Sequence, residues 1–310
     1  MGICWHRWDM KTRYALQLLL LSAVWGISFL MIRVAASAFP PIWVGMLRAT
    51  SGALLLWVVL LLGGYKLPPR RLFFWLFIVA LTNNAIPFSF FAWGEKTVPS
   101  STAAVLNATT PIWTLLLSLA VHRTRTSLYT ILGVIAGFAG VAIVVFSRTS
   151  TAGETTQHGS LVLGVLVIAL AALGYAIATV IAKAKLQGLD PIGLAVTQLT
   201  LAALMLLPIA AIGPHPTAFH LAPTLAILVL GFAGSGIAYF LYYSLLARIP
   251  ATHVVAVTYL LPVWGMFWGR IAHEPIAPLA YVGVAIVLAG LILMNRSVTP
   301  TPALIEACAD

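Results

Sequence analysis

Polar positions are scarce along this chain and fall in clusters. Between the clusters run apolar stretches of about 20 residues, the length a helix needs to cross the hydrocarbon core of a bilayer. Dividing the chain where Pro, Gly and charged residues gather leaves ten such stretches, spans 1 to 10, at 14–36, 41–63, 72–93, 99–119, 127–147, 160–182, 191–212, 222–246, 252–271 and 276–294. They are rich in Ala, Leu and Gly and lack the strict apolar–polar alternation of barrel strands, so the pattern predicts helices. The start of the chain is basic and then apolar, like a signal peptide. The run from Tyr14 to Ala36 is too long for one and no small-x-small site closes it, so it is read as span 1.

The pattern then repeats itself about 150 residues on. Pro99–Trp113 reads PSSTAAVLNATTPIW and Pro250–Trp264 reads PATHVVAVTYLLPVW; both open on Pro and close on Pro-x-Trp. Pro40–Leu56 parallels Asp190–Leu206, and Gly133–Val145 parallels Gly283–Asn295. The expected organisation is an all-α membrane protein with a tail at 1–13, a first five-helix repeat at 14–147, a linker at 148–159, a second repeat at 160–295 and a tail at 296–310. Five is an odd number of crossings, so the second repeat enters the membrane from the opposite face. Inverted halves suit alternating access, in which a midplane site opens to one side and then to the other.

Composition agrees with lipid as the solvent: 61% of residues are hydrophobic, 8% are charged and the mean hydropathy is +1.03. A soluble domain carries about 25% charged residues. The net charge of +10 would suggest nucleic acid in a soluble protein, but here it follows the loops. With a cytoplasmic N-terminus, Arg7, Lys11, Arg13, Lys66, Arg70, Arg71, Arg123, Arg125, Lys183, Lys185, Arg248 and Arg296 lie inside, against Arg33, Lys96, Arg148 and Arg270 outside. Twelve against four places both termini in the cytoplasm and calls for no nucleic acid. Cys4 and Cys308 stand at opposite ends, and the seven histidines are scattered, so neither a metal site nor a disulfide framework is expected.

Polar residues inside the spans are the candidate chemistry. Arg48 lies roughly 10 Å into span 2, at a cost of about 2.5–3.5 kcal/mol on insertion scales. It either faces a cavity and attracts a carboxylate or snorkels to the interface. Asn83 and Asn84 in span 3 offer donors and acceptors suited to a zwitterion, or serve as interhelical bonds; Pro87 frees a backbone carbonyl near Asn83. In span 4, Ala103, Asn107, Thr110 and Trp113 share a helical face, matched in span 9 by Val254, Thr258, Leu261 and Trp264. Pro111 and Pro262 fall at matched depths in those two spans, and interrupted helices at corresponding positions point to a transport site.

Trp25, Phe88, Trp113, Tyr175, Tyr239, Tyr243, Tyr259 and Trp264 suit a cavity for bulky apolar or aromatic groups. Trp5, Trp8, Trp43 and Trp75 sit near span ends and suit the interfacial belt. The glycines of spans 5 (Gly133, Gly137, Gly140) and 8 (Gly231, Gly234, Gly236) predict tight helix packing; Gly234 and Gly236 also offer a point of flexure for gating. All seven acids lie in tails, loops or span ends. A proton carrier would therefore be a histidine, an edge acid such as Glu95 or Glu274, or the substrate itself. The rival class is an intramembrane serine protease built on Ser235 and His253. Those residues belong to opposite halves of the membrane, about 20 Å apart by helical rise, which leaves no dyad.

These motifs resemble the EamA-type ten-helix transporters of the drug/metabolite transporter superfamily. The resemblance rests on SAVWGISFLMIRVA in span 1, PPIWVGMLRATSGALLL in span 2, the two Pro-to-Pro-x-Trp segments, the matched Arg48 and Gln198, and HEPIAPLAYVGVAIVLAGLILM with Glu274. One departure stands out, Arg123 at the position matched by Glu274, where the family usually carries an acid. The resemblance implies a cavity lined by spans 1, 3, 4, 6, 8 and 9, with spans 5 and 10 peripheral. It implies export of small metabolites, commonly amino acids, without a cofactor, from a bacterial inner membrane. Within the family the chain is similar to aromatic amino-acid exporters; drugs, sugars or nucleotides are the alternative cargo. Its partners would be the substrate and membrane lipid, and a monomer is compatible with the pattern.

Overall fold

The computed structural model describes residues 2–122, 127–149, 158–216, 220–246 and 257–296. It is all helical, and the helices follow the ten expected spans. Span 1 is part of a longer helix, Gly2–Ala36, so the helix also takes in the segment expected as a tail. Spans 2, 5, 6, 7 and 10 are the continuous helices Pro41–Gly63, Leu128–Thr149, His158–Lys185, Pro191–Ile212 and Pro278–Arg296. Among the described residues eight helices are long and apolar enough to cross a membrane, and Pro278–Leu293 is a shorter apolar one. Span 9 is described over Val257–Ile271; its first residues, with His253, lie outside the described residues, as do Arg123 and the central part of the linker.

Three spans are interrupted within the described residues. Span 4 consists of Ser100–Asn107 and Thr110–His122, with a turn at Ala108 and Thr109. Span 3 holds a π-helical turn at Leu81–Ala85 between Phe73–Ala80 and Ile86–Gly94. Span 8 holds another at Phe232–Ile237 between Leu221–Gly231 and Ala238–Leu246. The two π turns begin 151 positions apart, which is the spacing of the sequence repeat. A π turn inserts one residue into the helical ladder and leaves a carbonyl free, and such turns concentrate at functional sites.

Packing follows the repeat. Span 2 lies along span 7 and span 5 along span 10, each beside its own counterpart. Glycine sets the second contact: a Cβ on Gly140 would press on the Gly283 carbonyl, and one on Gly290 would press on the Gly133 carbonyl. These are equivalent contacts of an inverted pair, and backbones this close are the small-residue packing expected of spans in lipid. Span 1 packs on span 9 and span 6 on both parts of span 4, again corresponding neighbours. The apolar core divides accordingly. One cluster joins spans 1, 3, 4, 6 and 8, with Val44 of span 2 and Leu261 of span 9, around Phe29, Phe91, Ile168 and Leu230. Another joins spans 2, 3 and 7 around Leu56, Phe88 and Leu199. A third joins spans 4, 5, 9 and 10 around Ile112, Val144 and Val287.

Candidate functional site

The two π turns meet the matched polar residues of spans 2 and 7 in a crossed arrangement. Arg48 of span 2 donates from Nε to Ser235 Oγ in the span 8 turn at 3.0 Å. Asn83 in the span 3 turn donates from Nδ2 to Gln198 Oε1 of span 7 at 3.0 Å. Arg48 and Gln198 correspond in the repeat, as do Asn84 and Ser235, so each half reaches across to the other with a comparable bond. The bonds differ in charge. The first half supplies a guanidinium where the second supplies a neutral amide.

Arg48 is 7% exposed and so points into the protein rather than to the interface. Its Cζ lies 4.0 Å above the Phe88 ring, a cation–π contact that strengthens where water is excluded. Tyr175, Tyr239 and, least of the three, Glu95 are close enough to act on its charge without bonding to it. Among the described residues it has no carboxylate partner and neither Nη group has an acceptor. The fully buried Asn84 donates to the Tyr239 hydroxyl at 2.9 Å, and its Oδ1 has no partner among the described residues. The Trp25 indole donates to the Gly234 carbonyl at 3.2 Å, an acceptor inside the span 8 π turn. Gly234 is needed small: a Cβ there would meet Ser28 Oγ at 2.8 Å and Arg48 Nη2 at 3.8 Å. Gly236 instead packs against Leu55.

Trp25, Arg48, Asn83, Asn84, Phe88, Tyr175, Tyr239 and Gly234 are thereby brought into one mid-depth group. Pro87 follows the first π turn and is buried beside it. Other predicted residues lie elsewhere. Trp113 packs edge-on against Phe138 of span 5 at 5.4 Å, and its buried Nε1 has no partner among the described residues. Tyr259 packs on the cluster of spans 4, 5, 9 and 10. Thr110 caps backward onto the Asn107 carbonyl at 2.8 Å, and Asn107 Oδ1 is buried without a partner at the break in span 4. Pro111 sits just inside the helix after that break, whereas Pro262 lies within a continuous helix. Trp264 donates to Ser22 Oγ at 2.9 Å, and Gly26 lies directly beneath its Cβ. Thr258 is half-buried in the first turn of Val257–Ile271; the side chain of Tyr243 is outside the described residues. Ser28 and Ser235 were missed as members of this group. Ser235 stood at the matched position of Asn84, which was the available signal.

A second polar construction closes one end of the bundle, termed distal because span 1 finishes there. Span 4 starts after Pro99, which caps nothing through its side chain. Glu274, from the link between spans 9 and 10, supplies the cap. Its Oε1 accepts from Ser100 N at 3.0 Å and Ser100 Oγ at 2.8 Å, and its Oε2 from Ser101 N at 3.1 Å and Ser101 Oγ at 2.7 Å. Arg33, at the end of span 1, adds an ion pair to Oε1 at 3.1 Å. A carboxylate at a helix N-terminus meets its unmatched N–H groups and its positive end. Burial pushes the Glu274 carboxyl upward, but the Ser101 and Ser100 hydrogen bonds outweigh it and hold the group below its ordinary value. His273, at a left-handed φ of 58°, turns the chain so that Glu274 N donates back to the Gly269 carbonyl at 2.9 Å. Gly269 leaves the carboxylate room, since a Cβ would meet Oε2 at 2.9 Å.

The inverted helical repeat and its crossed polar midplane define a multi-pass membrane transporter. The sequence matches the EamA-like transporter family over residues 12–146 and 162–296, and the chain belongs to that family, whose members are secondary transporters of small metabolites rather than enzymes. The family model matches twice, once in each half of the chain. It is 24% identical over 88% of its length to the uncharacterized inner membrane transporter YedA of Escherichia coli K12, covering 87% of that protein. It is 25% identical to the uncharacterized transporter YvbV of Bacillus subtilis, over 92% of each chain. It is 28% identical to a probable terminal-alkyne amino-acid exporter of Streptantibioticus cattleyicolor, over 93% of this chain and 95% of that one. A solved crystal structure shares the fold with a TM-score of 0.66 and 19% identity, covering 93% of this chain and 99% of that chain.

Proposed function

We propose that this transporter exports amino acids with hydrophobic or aromatic side chains from the cytoplasm across a bacterial inner membrane, with both termini cytoplasmic. The observation that carries the reading is Arg48, a buried guanidinium with no acid partner among the described residues. A cation kept in so apolar a place, at the cost of an insertion penalty, calls for an anion, and a carboxylate meets the paired Nη groups in bidentate fashion. Asn84 Oδ1 is an unmatched acceptor for the ammonium of the same zwitterion. Phe88, Tyr175, Tyr239 and Trp25 supply the apolar walls. The exporter relative in Streptantibioticus cattleyicolor supports the amino-acid class, and the Lys and Arg bias of the loops supports the orientation. The crossed Arg48–Ser235 and Asn83–Gln198 bonds bridge the two halves, so parting them on one side or the other would expose the group alternately.

The test is efflux of labelled phenylalanine, tryptophan and threonine from proteoliposomes, with unlabelled compounds on the far side. Saturable efflux stimulated from the trans side, with phenylalanine and tryptophan ahead of threonine, is the expected result. Correctly inserted protein that moves none of the three would overturn the amino-acid reading and turn the search to drugs, sugars and nucleotides.

A further inference from the structure

Among the described residues two acids are buried at the distal end, and only one of them is provided for. Glu274 receives four hydrogen bonds and an ion pair. Glu95, at the end of span 3, is 2% exposed, and neither of its carboxylate oxygens has a hydrogen-bond partner among the described residues. It is flanked in sequence by Phe91, Ala92 and Val98, all members of the apolar cluster of spans 1, 3, 4, 6 and 8. Span 6 faces the adjoining Gly94 with the Ile168 side chain and the Gly164 backbone, which offer no charge. The charged groups acting on Glu95 are Glu274 from the link after span 9, Arg33 from span 1 and Arg48 from span 2. Lys96, its neighbour in the chain, is exposed. Ser100 and Ser101 of span 4 are committed to Glu274. Arg33 is bonded to Glu274, and a single bonded cation balances a single carboxylate. An ionised acid buried without a partner costs several kcal/mol, and such a group takes up a proton instead.

We propose that Glu95 is a proton-binding site that latches the distal end, protonated and neutral while that end is closed and ionised once opening admits water to it. The reaction is simple uptake of one proton by the carboxylate on closing and its release on opening. Burial, followed by the negative charge of Glu274, holds the Glu95 carboxyl well above its ordinary value, with Arg33 and Arg48 opposing the shift. Opening returns the group to water and to its ordinary range. The closed form therefore binds more protons than the open form. Acid on the distal side favours closure, and raising the pH through the raised value favours opening. The charge of Arg48 in the mid-depth group reaches Glu95, but Glu95 takes a proton whatever the cargo, so the inference goes beyond the amino-acid reading and stands if that reading fails.

Two readouts that need no substrate test it. The first is the infrared carbonyl stretch of a protonated carboxyl in reconstituted protein at neutral pH. The band is expected in the wild type and absent in Glu95→Gln. The second places a reporter cysteine at Ala35, which is fully buried at the distal end of span 1, in a background with Cys4 and Cys308 replaced by Ser. A membrane-impermeant maleimide is added from the distal side. Dividing the labelling rate of this reporter protein by that of its Glu95→Gln form at each pH cancels the ionisation of the thiol itself. The ratio is expected to climb with pH, by about tenfold for each unit separating the closed-form and open-form values. A protonated-carboxyl band that survives Glu95→Gln unchanged, or a flat ratio, would overturn the proposal. Should Glu95→Gln fail to insert, Glu95→Asp keeps the acid and must retain the protonated-carboxyl band; losing it would overturn the proposal equally.

Discussion

At the distal end a carboxylate is surrounded by donors: both Glu274 oxygens accept from a backbone N–H and a hydroxyl, and Arg33 neutralises the charge. At mid-depth the opposite holds. Among the described residues Arg48 keeps one hydrogen bond and no bonded counter-charge, Asn84 has one amide oxygen unmatched, and the bonds between the halves are single. Both groups are buried in apolar surroundings, where an unmatched polar atom is costly. A completed set works as a fastening, since a ligand could add nothing to it. An incomplete set is stabilised by whatever supplies the missing partners. The contrast therefore separates the Glu274 clasp, a fastening, from groups that bind something, the mid-depth set its cargo and the unmatched Glu95 a proton, without reference to what the cargo is.

The largest expected effect comes from breaking the completed set. Glu274→Ala leaves the first two N–H groups of span 4 unmatched in a buried position and should cost about 3 kcal/mol, read as a fall in thermal stability in detergent. The pH dependence carries a sign. A carboxyl held below its ordinary value contributes stability that is present above that value and is lost as the pH falls through the lower one. Stability attributable to Glu274, taken as wild type minus Glu274→Gln, should be flat at neutral pH and vanish only in acid below the ordinary carboxylate range. Loss of that difference between pH 5 and 7 would remove the clasp from this account.

Breaking the incomplete set should spare stability and change binding. Arg48→Met removes a buried, unpaired charge, so the folded protein should be as stable as the wild type or more so. A charge-assisted bond contributes about 1.5–3 kcal/mol, so affinity for phenylalanine should drop about 10- to 100-fold. Phenethylamine, which lacks the carboxylate, should bind both proteins alike. Equal losses for the two ligands would mean that Arg48 positions helices and does not touch a carboxylate.

How far these groups can be read from sequence follows from what each depends on. The repeat aligned Arg48 with Gln198 and Asn84 with Ser235, so the matched positions were legible from spacing alone. That Arg48 would reach Ser235, and Gln198 reach Asn83, depends on which spans pack together, and composition carries no trace of that. The π turn in span 3 reads LTNNA, with no Pro or Gly within it to announce an interruption. The face assumed for Ala103, Asn107, Thr110 and Trp113 required an unbroken helix; the turn at Ala108 and Thr109 interrupts it, and Trp113 packs on Phe138. Glu95 and Glu274 looked like loop acids because hydropathy treats every break between spans as wet. Their burial comes from four elements converging at one end.

A smaller effect sharpens the clasp. His273 holds a left-handed φ of 58° to turn the link into Glu274, a conformation that costs a residue with a Cβ roughly 1–2 kcal/mol. His273→Gly should relieve part of that cost and raise thermal stability slightly, offset in part by the greater freedom of Gly in the unfolded chain. His273→Val, β-branched at the same turn, should lower it. The reverse order would show that the imidazole itself holds the link.

The smallest effect decides which half of the crossed midplane meets the ligand. Asn83 and Gln198 share one hydrogen bond, and such a bond between spans contributes about 0.6 kcal/mol. If the bond only joins spans 3 and 7, Asn83→Leu and Gln198→Leu should each change flux by about threefold or less, and the double variant should be no worse than either single one. If an amide also contacts the cargo, its variant alone should alter the ranking of phenylalanine against threonine, and the double variant should follow it. Gln198 is the neutral counterpart of Arg48, so Gln198→Arg adds a third arm. It places a second unpaired cation opposite the first and should shift preference toward substrates with two carboxylates, as the charge asymmetry between the halves requires if Arg48 is the anchor.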